Sequence, residues 1–256
     1  TGMAGQAQVA PVTVARNLTT NDLRAALAAG WADFKACPAF GLFFAAIYVA
    51  AGLLLYFELF ARGKFLWLIV ASAGFPLLAP FTAVGLYEVS RRREAGLPMR
   101  WGAVLGASRG RGDEQILTMG AILFVAFSFW LMIAHGIYAV FMSESNYGPQ
   151  GIELFMSGTG LAMLIVGSIA GALIAFAFYS ITVISLPLLV DRDLDFVTAI
   201  IVSLATVRSN TVVMTIWAAV IAVTLFVAML PLFLGLFVVL PVLGHATWHL
   251  YRRVVV

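Results

Sequence analysis

The chain has 256 residues, of which 62% are hydrophobic and only 11% are charged, and its formal net charge is +3. Soluble domains carry about 25% charged residues, so this chain has too few polar residues to cover a soluble fold. Several apolar runs of about 20 residues indicate a polytopic membrane protein. The positive charge comes mainly from arginines near the ends of these runs, so no nucleic-acid partner is expected. The single cysteine, Cys37, excludes an internal disulfide and a cysteine-ligated metal cluster.

The first segment of the chain differs from the rest in composition. Residues 1–19 are small and polar without a hydrophobic pattern, which predicts a flexible tail before a single membrane domain over residues 20–256. Thr20, Asn21 and Asp22 then offer a helix N-cap. The helical spacing of the apolar residues that follow, from Leu23 to Phe34, predicts a short amphipathic helix lying at the membrane surface.

Six apolar segments are long enough to cross a membrane as helices. They cover residues 40–60, 65–89, 116–142, 158–190, 212–229 and 232–251. The last two are separated at Pro231, which predicts a tight hairpin; one long kinked helix is the other interpretation. Further interfacial helices are predicted near Trp101 and after Asp195, whose acidic neighbourhood suits an N-cap. The predicted fold class is therefore all-α, a six-helix transmembrane bundle with three short interfacial helices.

The distribution of basic residues predicts the orientation. Of the 15 lysines and arginines, only Arg62 and Lys64 fall on the side of the membrane opposite the two termini. Basic residues accumulate in cytoplasmic loops, so both termini are predicted to lie in the cytoplasm.

Part of the second span returns near the end of the chain. In both places a proline precedes an arginine pair by 11 residues, Pro80 before Arg91 and Pro241 before Arg252. Glu88 and His249 occupy matching positions, eight residues after each proline. An interfacial helix followed by two spans occurs three times, which predicts three pseudo-repeats, although the middle unit lacks the arginine pair.

Three blocks of sequence carry a resemblance to a known family. They are LRAAL followed by Gly30 and Trp31, then GFPLLAPFTAVGLYEVSRR, then PLFLGLFVVLPVLGHATWHLYRR. Over residues 11–253 the chain resembles an uncharacterised bacterial integral-membrane family, the domain of unknown function numbered 2189. The resemblance implies a six-span protein of the bacterial inner membrane and transfers no catalytic residue. Some members are labelled as cytochrome c oxidase subunits, which implies a loose association with respiratory complexes.

Ionisable residues inside the spans are the candidates for function, because burying them in lipid is costly. His135 lies near the middle of the third span, with Ser128 and Tyr138 on about the same face. It is a candidate proton relay or ligand at the bundle centre, although a neutral histidine bonded to a neighbouring helix is the more common arrangement.

A second candidate site lies on the last span. His245 and His249 are one helical turn apart and could hold a metal or haem, with Glu88 as a third partner. We favour simple hydrogen bonding near the cytoplasmic surface, so no metal and no cofactor is expected. Glu88 also precedes Arg91 and Arg92 by three and four residues, the spacing of helical ion pairs.

Two further sets of residues suggest contacts with lipid or partners. One is basic and is predicted to face anionic headgroups or a partner at the cytoplasmic surface: Arg91, Arg92, Arg93, Arg252 and Arg253. The other is a seam of small residues in the fourth span that favours close helix packing or a homo-oligomer: Gly160, Gly167 and Gly171.

No Walker loop, HExxH, GxSxG or nucleotide-binding fingerprint is found in the sequence, so an enzyme is not expected. The sequence favours a non-enzymatic accessory, assembly or scaffold component. The first alternative is a small-solute or proton-coupled permease that uses His135 and the proline-kinked spans. The second is a haem- or metal-binding membrane protein that uses His245 and His249.

Overall fold

A computed structural model describes residues 12–63, 79–107, 113–142 and 157–255. Within these ranges the chain forms ten α-helices and no β-strand. The helices are α1 (Thr20–Ala36), α2 (Pro38–Ala61), α3 (Ala79–Glu94), α4 (Trp101–Leu105), α5 (Asp113–Met142), α6 (Gly158–Thr182), α7 (Ser185–Asp191), α8 (Phe196–Ser209), α9 (Thr211–Met229) and α10 (Leu236–Val254).

Four helical segments in the described residues are long and apolar enough to cross a membrane. They are Pro38–Leu59, Glu114–Met142, Gly158–Asp191 and Thr211–Met229, and they coincide with the first, third, fourth and fifth predicted spans. The predicted second span begins outside the described residues, together with Pro76, and its described part is α3. The predicted sixth span corresponds to α10, whose second half is too polar to qualify by composition.

The connection between α9 and α10 is a turn, as predicted at Pro231. Helix α9 ends at Met229 and α10 begins at Leu236, which excludes one long helix. Leu232 and Phe233 have φ angles of 51° and 65°, in the left-handed region that bulky residues rarely adopt. Phe233 is nevertheless buried, because its ring packs where Gly52 of α2 has no side chain.

Helix α10 is largely enclosed, and α2 and α3 run beside it. Gly52 of α2 faces Phe233, while Gly41 of α2 faces Pro241, so α2 and α10 are antiparallel. Helix α3 is also antiparallel to α2, because Phe44 packs on Gly85 and Tyr48 bonds Thr82. The core thus consists of helices that alternate in direction.

Helix α1 crosses α10 in close contact. A Cβ atom added to Gly30 would lie 2.6 Å from the nitrogen of Ala246 and 2.7 Å from the oxygen of Val242. The two backbones can approach this closely only because position 30 has no side chain. The predicted amphipathic helix is therefore confirmed, and its buried face includes Leu23 and Phe34.

The end of the predicted flexible tail is held in place. Residues 1–11 lie outside the described part, but Val14 forms an antiparallel bridge with Val255. The side chain of Asn210 donates to the oxygen of Ala15 at 2.8 Å and accepts from the nitrogen of Leu18 at 3.1 Å. Within residues 12–19, a distant asparagine thus binds two backbone atoms, while the predicted domain boundary stays a prediction. The described ends of the chain meet on one side of the molecule.

Helix α6 stands largely outside this core, whereas the first half of α5 packs into it through Ile116, Met119 and Leu123. Only 6% of the apolar stretch of α6 is buried, against 39% for α2. The two helices contact each other where the ring of Trp130 packs on Gly171. Hydrogen bonds tie the pair to α8 near one end: Ser203 donates to the oxygen of Ser180 at 2.7 Å, and Gln115 accepts from the nitrogen of Phe196 at 3.0 Å.

Helix α8 begins where the sequence predicted the third short helix. Asp195 caps α8 by accepting from the nitrogen of Thr198 at 2.8 Å. The threefold repeat stays a prediction.

Candidate functional site

A buried carboxylate joins three helices at one end of the core. Asp33 of α1 is only 5% exposed. Its Oδ2 accepts from Ser90 Oγ of α3 at 2.7 Å and lies 2.8 Å from His249 Nε2 of α10. Its Oδ1 accepts from an Nη of Arg93 at 2.5 Å. We call Asp33, Ser90, Arg93, His245 and His249 the Asp33 cluster.

The fifth member, His245, is fully buried on α10. Its Nδ1 lies 2.8 Å from Ser90 Oγ. Ser90 has one hydroxyl hydrogen and donates it to the carboxylate, so His245 Nδ1 must be the donor to Ser90. In the neutral ring, Nε2 is then a bare acceptor. No hydrogen bond to Nε2 is formed among the described residues, although the backbone of Leu86 lies near the ring.

The cluster keeps its central carboxylate charged. Burial by itself would raise the pKa of Asp33, but the hydrogen bonds from His249 and Ser90 and the charge of the histidines outweigh it. The pKa of Asp33 is therefore lowered below its usual value. A hydrogen-bonded chain thus runs from half-exposed His249 through ionised Asp33 and Ser90 to buried His245.

A second polar network continues around the end of α10. Trp248 Nε1 donates to Glu94 of α3 at 3.0 Å, and the Tyr251 hydroxyl donates to Asp191 of α7 at 2.6 Å. Arg252 bridges both carboxylates, with 3.0 Å to Glu94 and 3.3 Å to Asp191. This end of α10 is therefore fastened to α3 and α7 as well as to α1.

Glu88 forms the ion pairs that its spacing predicted. It lies 2.7 Å from Arg91 and 3.3 Å from Arg92, and it is itself buried. Its counterpart in the repeated segment, His249, bonds Asp33 instead. The two matching positions therefore have separate partners, and the structure records no bond between them.

The five arginines assigned from sequence to lipid or a partner all contact carboxylates of this chain. Arg91 and Arg92 pair with Glu88, Arg93 with Asp33, and Arg252 with Glu94 and Asp191. Arg253 lies 2.9 Å from Asp22. Arg93, Arg252 and Arg253 thereby join different helices, whereas Arg91 and Arg92 pair within α3. These pairs change where free positive charge lies on this surface.

His135 does not lie at the centre of the bundle. Its side chain is on the exposed side of α5, away from the Asp33 cluster. Helix α5 is apolar around most of its circumference, so its sequence did not show which face packs inward.

The three glycines of the predicted seam have different surroundings. Gly171 packs against Trp130, and Gly160 is buried at the start of α6, where its nitrogen donates to Ser157. A Cβ at Gly167 would meet nothing within 4 Å. Only part of the seam is therefore used in packing within the chain.

The geometry gives no support to a metal or haem on the last helix. His245 and His249 turn towards Ser90 and Asp33 instead of converging on a shared point. In the described ranges, no group of three or more His, Cys, Asp or Glu side chains is placed to hold a metal ion.

Sequence reasoning missed Asp33 and Ser90, and it assigned Arg93 to lipid or a partner instead of to Asp33. Asp33 follows Ala26 by seven residues and Gly30 by three, so it falls on the buried face of α1. A carboxylate on an otherwise apolar helix face was the signal that could have identified it.

The long apolar helices and this buried polar cluster define an integral membrane protein. Residues 68–191 match the family model described as "Predicted integral membrane protein (DUF2189)", which confirms the resemblance. The match covers slightly less than half of the chain and includes Ser90 and Arg93 but not Asp33, His245 or His249. No curated protein and no solved structure matches the chain.

Proposed function

We propose that this chain is a non-enzymatic protein of the bacterial inner membrane that acts as an accessory, assembly or scaffold component. The observation that carries this proposal is the exposure of α6, because only 6% of its apolar stretch is buried against the described chain. A membrane helix that packs so little on its own chain is available to a neighbour. A respiratory complex is the first candidate partner to examine, because some members of the family that the chain resembles are labelled as cytochrome c oxidase subunits.

In this proposal the chain crosses the membrane six times, with both termini in the cytoplasm. Helices α3 and α10 each run antiparallel to α2, so each returns towards the side from which α2 starts. The bridge between Val14 and Val255 supports this arrangement, because two chain ends on the same side of a membrane imply an even number of crossings. Helix α10 can cross despite its polar half because its polar side chains face α1, α3 and α7.

The proposed partner is an apolar membrane helix of another protein, seated on α6. The open space at Gly167 allows a second backbone to come close, as small residues do at helix interfaces in membranes. The exposed side chains on the other faces of α6 are mostly aliphatic, including Leu161 and Leu173. A second copy of this chain and lipid alone are the other occupants that an experiment must separate.

The Asp33 cluster supports a structural over a catalytic role. A serine nucleophile needs a base to take its proton, whereas Ser90 donates its hydrogen to Asp33 and accepts from His245. Its hydroxyl is also fully buried, out of reach of a substrate.

The proposal is tested by affinity purification of the full chain from native membranes in mild detergent. Gly167→Leu fills the open space on α6 without a clash inside the chain, and Gly136→Leu is the matched control on α5, where a Cβ also meets nothing within 4 Å. We expect a membrane protein to co-purify with the unmodified chain and with Gly136→Leu, and to be lost with Gly167→Leu. Recovery of the chain alone, or as a symmetric homo-oligomer, would contradict the accessory role.

A proton-coupled permease is the second candidate, and the bare Nε2 of His245 favours it. A proton bound at Nε2 would release the Nδ1 proton to Ser90, which would pass its own hydrogen to the carboxylate of Asp33. Proton uptake into proteoliposomes, followed with an internal pH-sensitive dye, tests this. We expect any such flux to stop in Ser90→Ala; the absence of flux in the unmodified protein would exclude this candidate.

A further inference from the structure

Part of the free positive charge of the cytoplasmic end lies on α1 and just before α4. Arg24, Lys35 and Arg100 are exposed and make no ion pair within the described residues. The carboxylates of α1 are already neutralised, since Asp22 pairs with Arg253 and Asp33 with Arg93. The unpaired charges of this surface are therefore all positive.

Two exposed tryptophans lie beside these cations. Trp31 and Trp101 are each 43% exposed. Trp101 rests on the first turns of α2, with ring centroids 4.2 Å from Phe40 and 5.4 Å from Phe43. Trp31 contacts Phe34, with 5.7 Å between ring centroids.

The cations are held next to the tryptophans. The ammonium group of Lys35 lies over the ring of Trp31, 5.8 Å from its centroid, in a cation–π contact. Arg100 is the N-cap of α4 and directly precedes Trp101. Phe34 packs at Gly41, so α1 and the start of α2 form one continuous surface.

We propose that this surface, formed by Trp31, Lys35, Arg100 and Trp101, binds the headgroup of an anionic phospholipid. Tryptophans concentrate at the membrane interface because the ring has an apolar body and a polar N–H. Lysine and arginine at that level attract anionic headgroups. This lipid site rests on the proposed topology, in which this end of the protein faces the cytoplasm. It does not require the protein partner proposed for α6.

Phospholipid fits the surface better than a soluble anion does. The site combines unpaired cations with exposed aromatic and aliphatic side chains, including Leu105 beside Trp101 on α4. A soluble phosphate would use only the charges, whereas a phospholipid also covers the apolar part. The same surface would bind a zwitterionic lipid less strongly, because such a headgroup carries its own cation.

The test is lipid binding by native mass spectrometry of the delipidated full chain, titrated with phosphatidylglycerol or phosphatidylcholine. Each removed cation should weaken phosphatidylglycerol binding about fivefold, and Lys35→Gln with Arg100→Gln about thirtyfold. Lys35→Arg with Arg100→Lys keeps both charges and should restore binding. Arg208→Gln is the matched control, because Arg208 is exposed and equally unpaired but lies at the end of α8.

The proposal is overturned if phosphatidylglycerol and phosphatidylcholine bind alike. It is also overturned if Arg208→Gln weakens binding as much as the double variant, because the effect would then come from overall charge. If inorganic phosphate competes with phosphatidylglycerol at equal concentration, the ligand is a soluble anion and the lipid assignment is wrong. If no protein partner co-purifies with the chain, the lipid titration is unaffected. The accessory role and the lipid site can therefore fail separately.

Discussion

Ser90 and His245 are 155 residues apart in sequence, yet Ser90 Oγ lies 2.8 Å from His245 Nδ1 in a fully buried position. Since the serine donates to Asp33, this contact fixes the proton of His245 on Nδ1. The pair therefore links the packing of α3 on α10 to the protonation of a buried imidazole.

Ser90→Ala should destabilise the protein. It leaves His245 Nδ1 without an acceptor and removes one donor from Asp33, at a cost of about 1–3 kcal/mol. Thermal unfolding in detergent measures this, with Ser128→Ala as control, because Ser128 bonds only the carbonyl of Phe124 in its own helix. Equal melting temperatures for the two variants would show that the buried contact contributes nothing.

Asp33 should make the protein sensitive to acid. Its pKa in the folded protein is below the unfolded value of about 3.9, so its stabilising contribution is complete above that pH. The contribution is lost as the pH falls through the lower folded value. Asp33→Asn should lower stability at neutral pH by about 1.5–3 kcal/mol, the worth of hydrogen bonds to a charged group.

Melting temperatures measured from neutral pH down to about pH 3 test whether stability falls with pH in this way. The variant should lose the part of the acid dependence that Asp33 causes, whereas Asp193→Asn at an exposed position should keep it. If the melting temperature of Asp33→Asn fell with pH as it does in the unmodified protein, the acid sensitivity would come from other carboxylates.

The crossing of α1 over α10 should not tolerate a side chain at Gly30. The atoms within 3 Å of an added Cβ are backbone atoms of α10, so they cannot rotate away. Gly30→Ala should cost about 1–3 kcal/mol through overpacking. Gly136→Ala, in the open on α5, should be neutral or more stable by up to about 1 kcal/mol, because alanine favours helix. A neutral Gly30→Ala would mean that α1 does not approach α10 this closely.

The single cysteine allows a clean test of the proposed topology. Cys37 is partly exposed between α1 and α2 and should react with a membrane-impermeant maleimide only in inside-out vesicles. In Cys37→Ser with Arg62→Cys, the thiol at the other end of α2 should react only in spheroplasts. Labelling with the opposite sidedness would reverse the orientation inferred from the basic residues.

The helices were predictable because their signal is local. Apolar length alone located the third span at residues 116–142 and the fifth at 212–229, close to α5 and α9 as observed. The sequence also located α10. Its polar second half can be buried because other helices, distant in sequence, enclose it, and no local pattern shows such contacts. No local pattern could show that residues 12–19 would be held by Asn210.

The site was predictable only in part, because it also depends on contacts between residues that are distant in sequence. His245 and His249 stood out as imidazoles in an apolar helix, but their partners Ser90 and Asp33 come from other parts of the chain. The arginines at the ends of α3 and α10 suggested a surface for lipid. The carboxylate partners of Arg93, Arg252 and Arg253 lie on other helices, so these arginines join helices. Composition gives the number of charges, and only the fold shows which of them are already neutralised.

The central claim is that α6 lies against another membrane protein, and site-specific photo-crosslinking in native membranes tests it most directly. A benzophenone side chain at Leu173, which is 68% exposed on α6, is compared with one at Val223, which is 61% exposed on α9. We predict a protein adduct at Leu173 whose mass exceeds the chain by that of a different polypeptide, and none at Val223. Lipid adducts alone at both positions, or an adduct of twice the mass of the chain, would contradict the account.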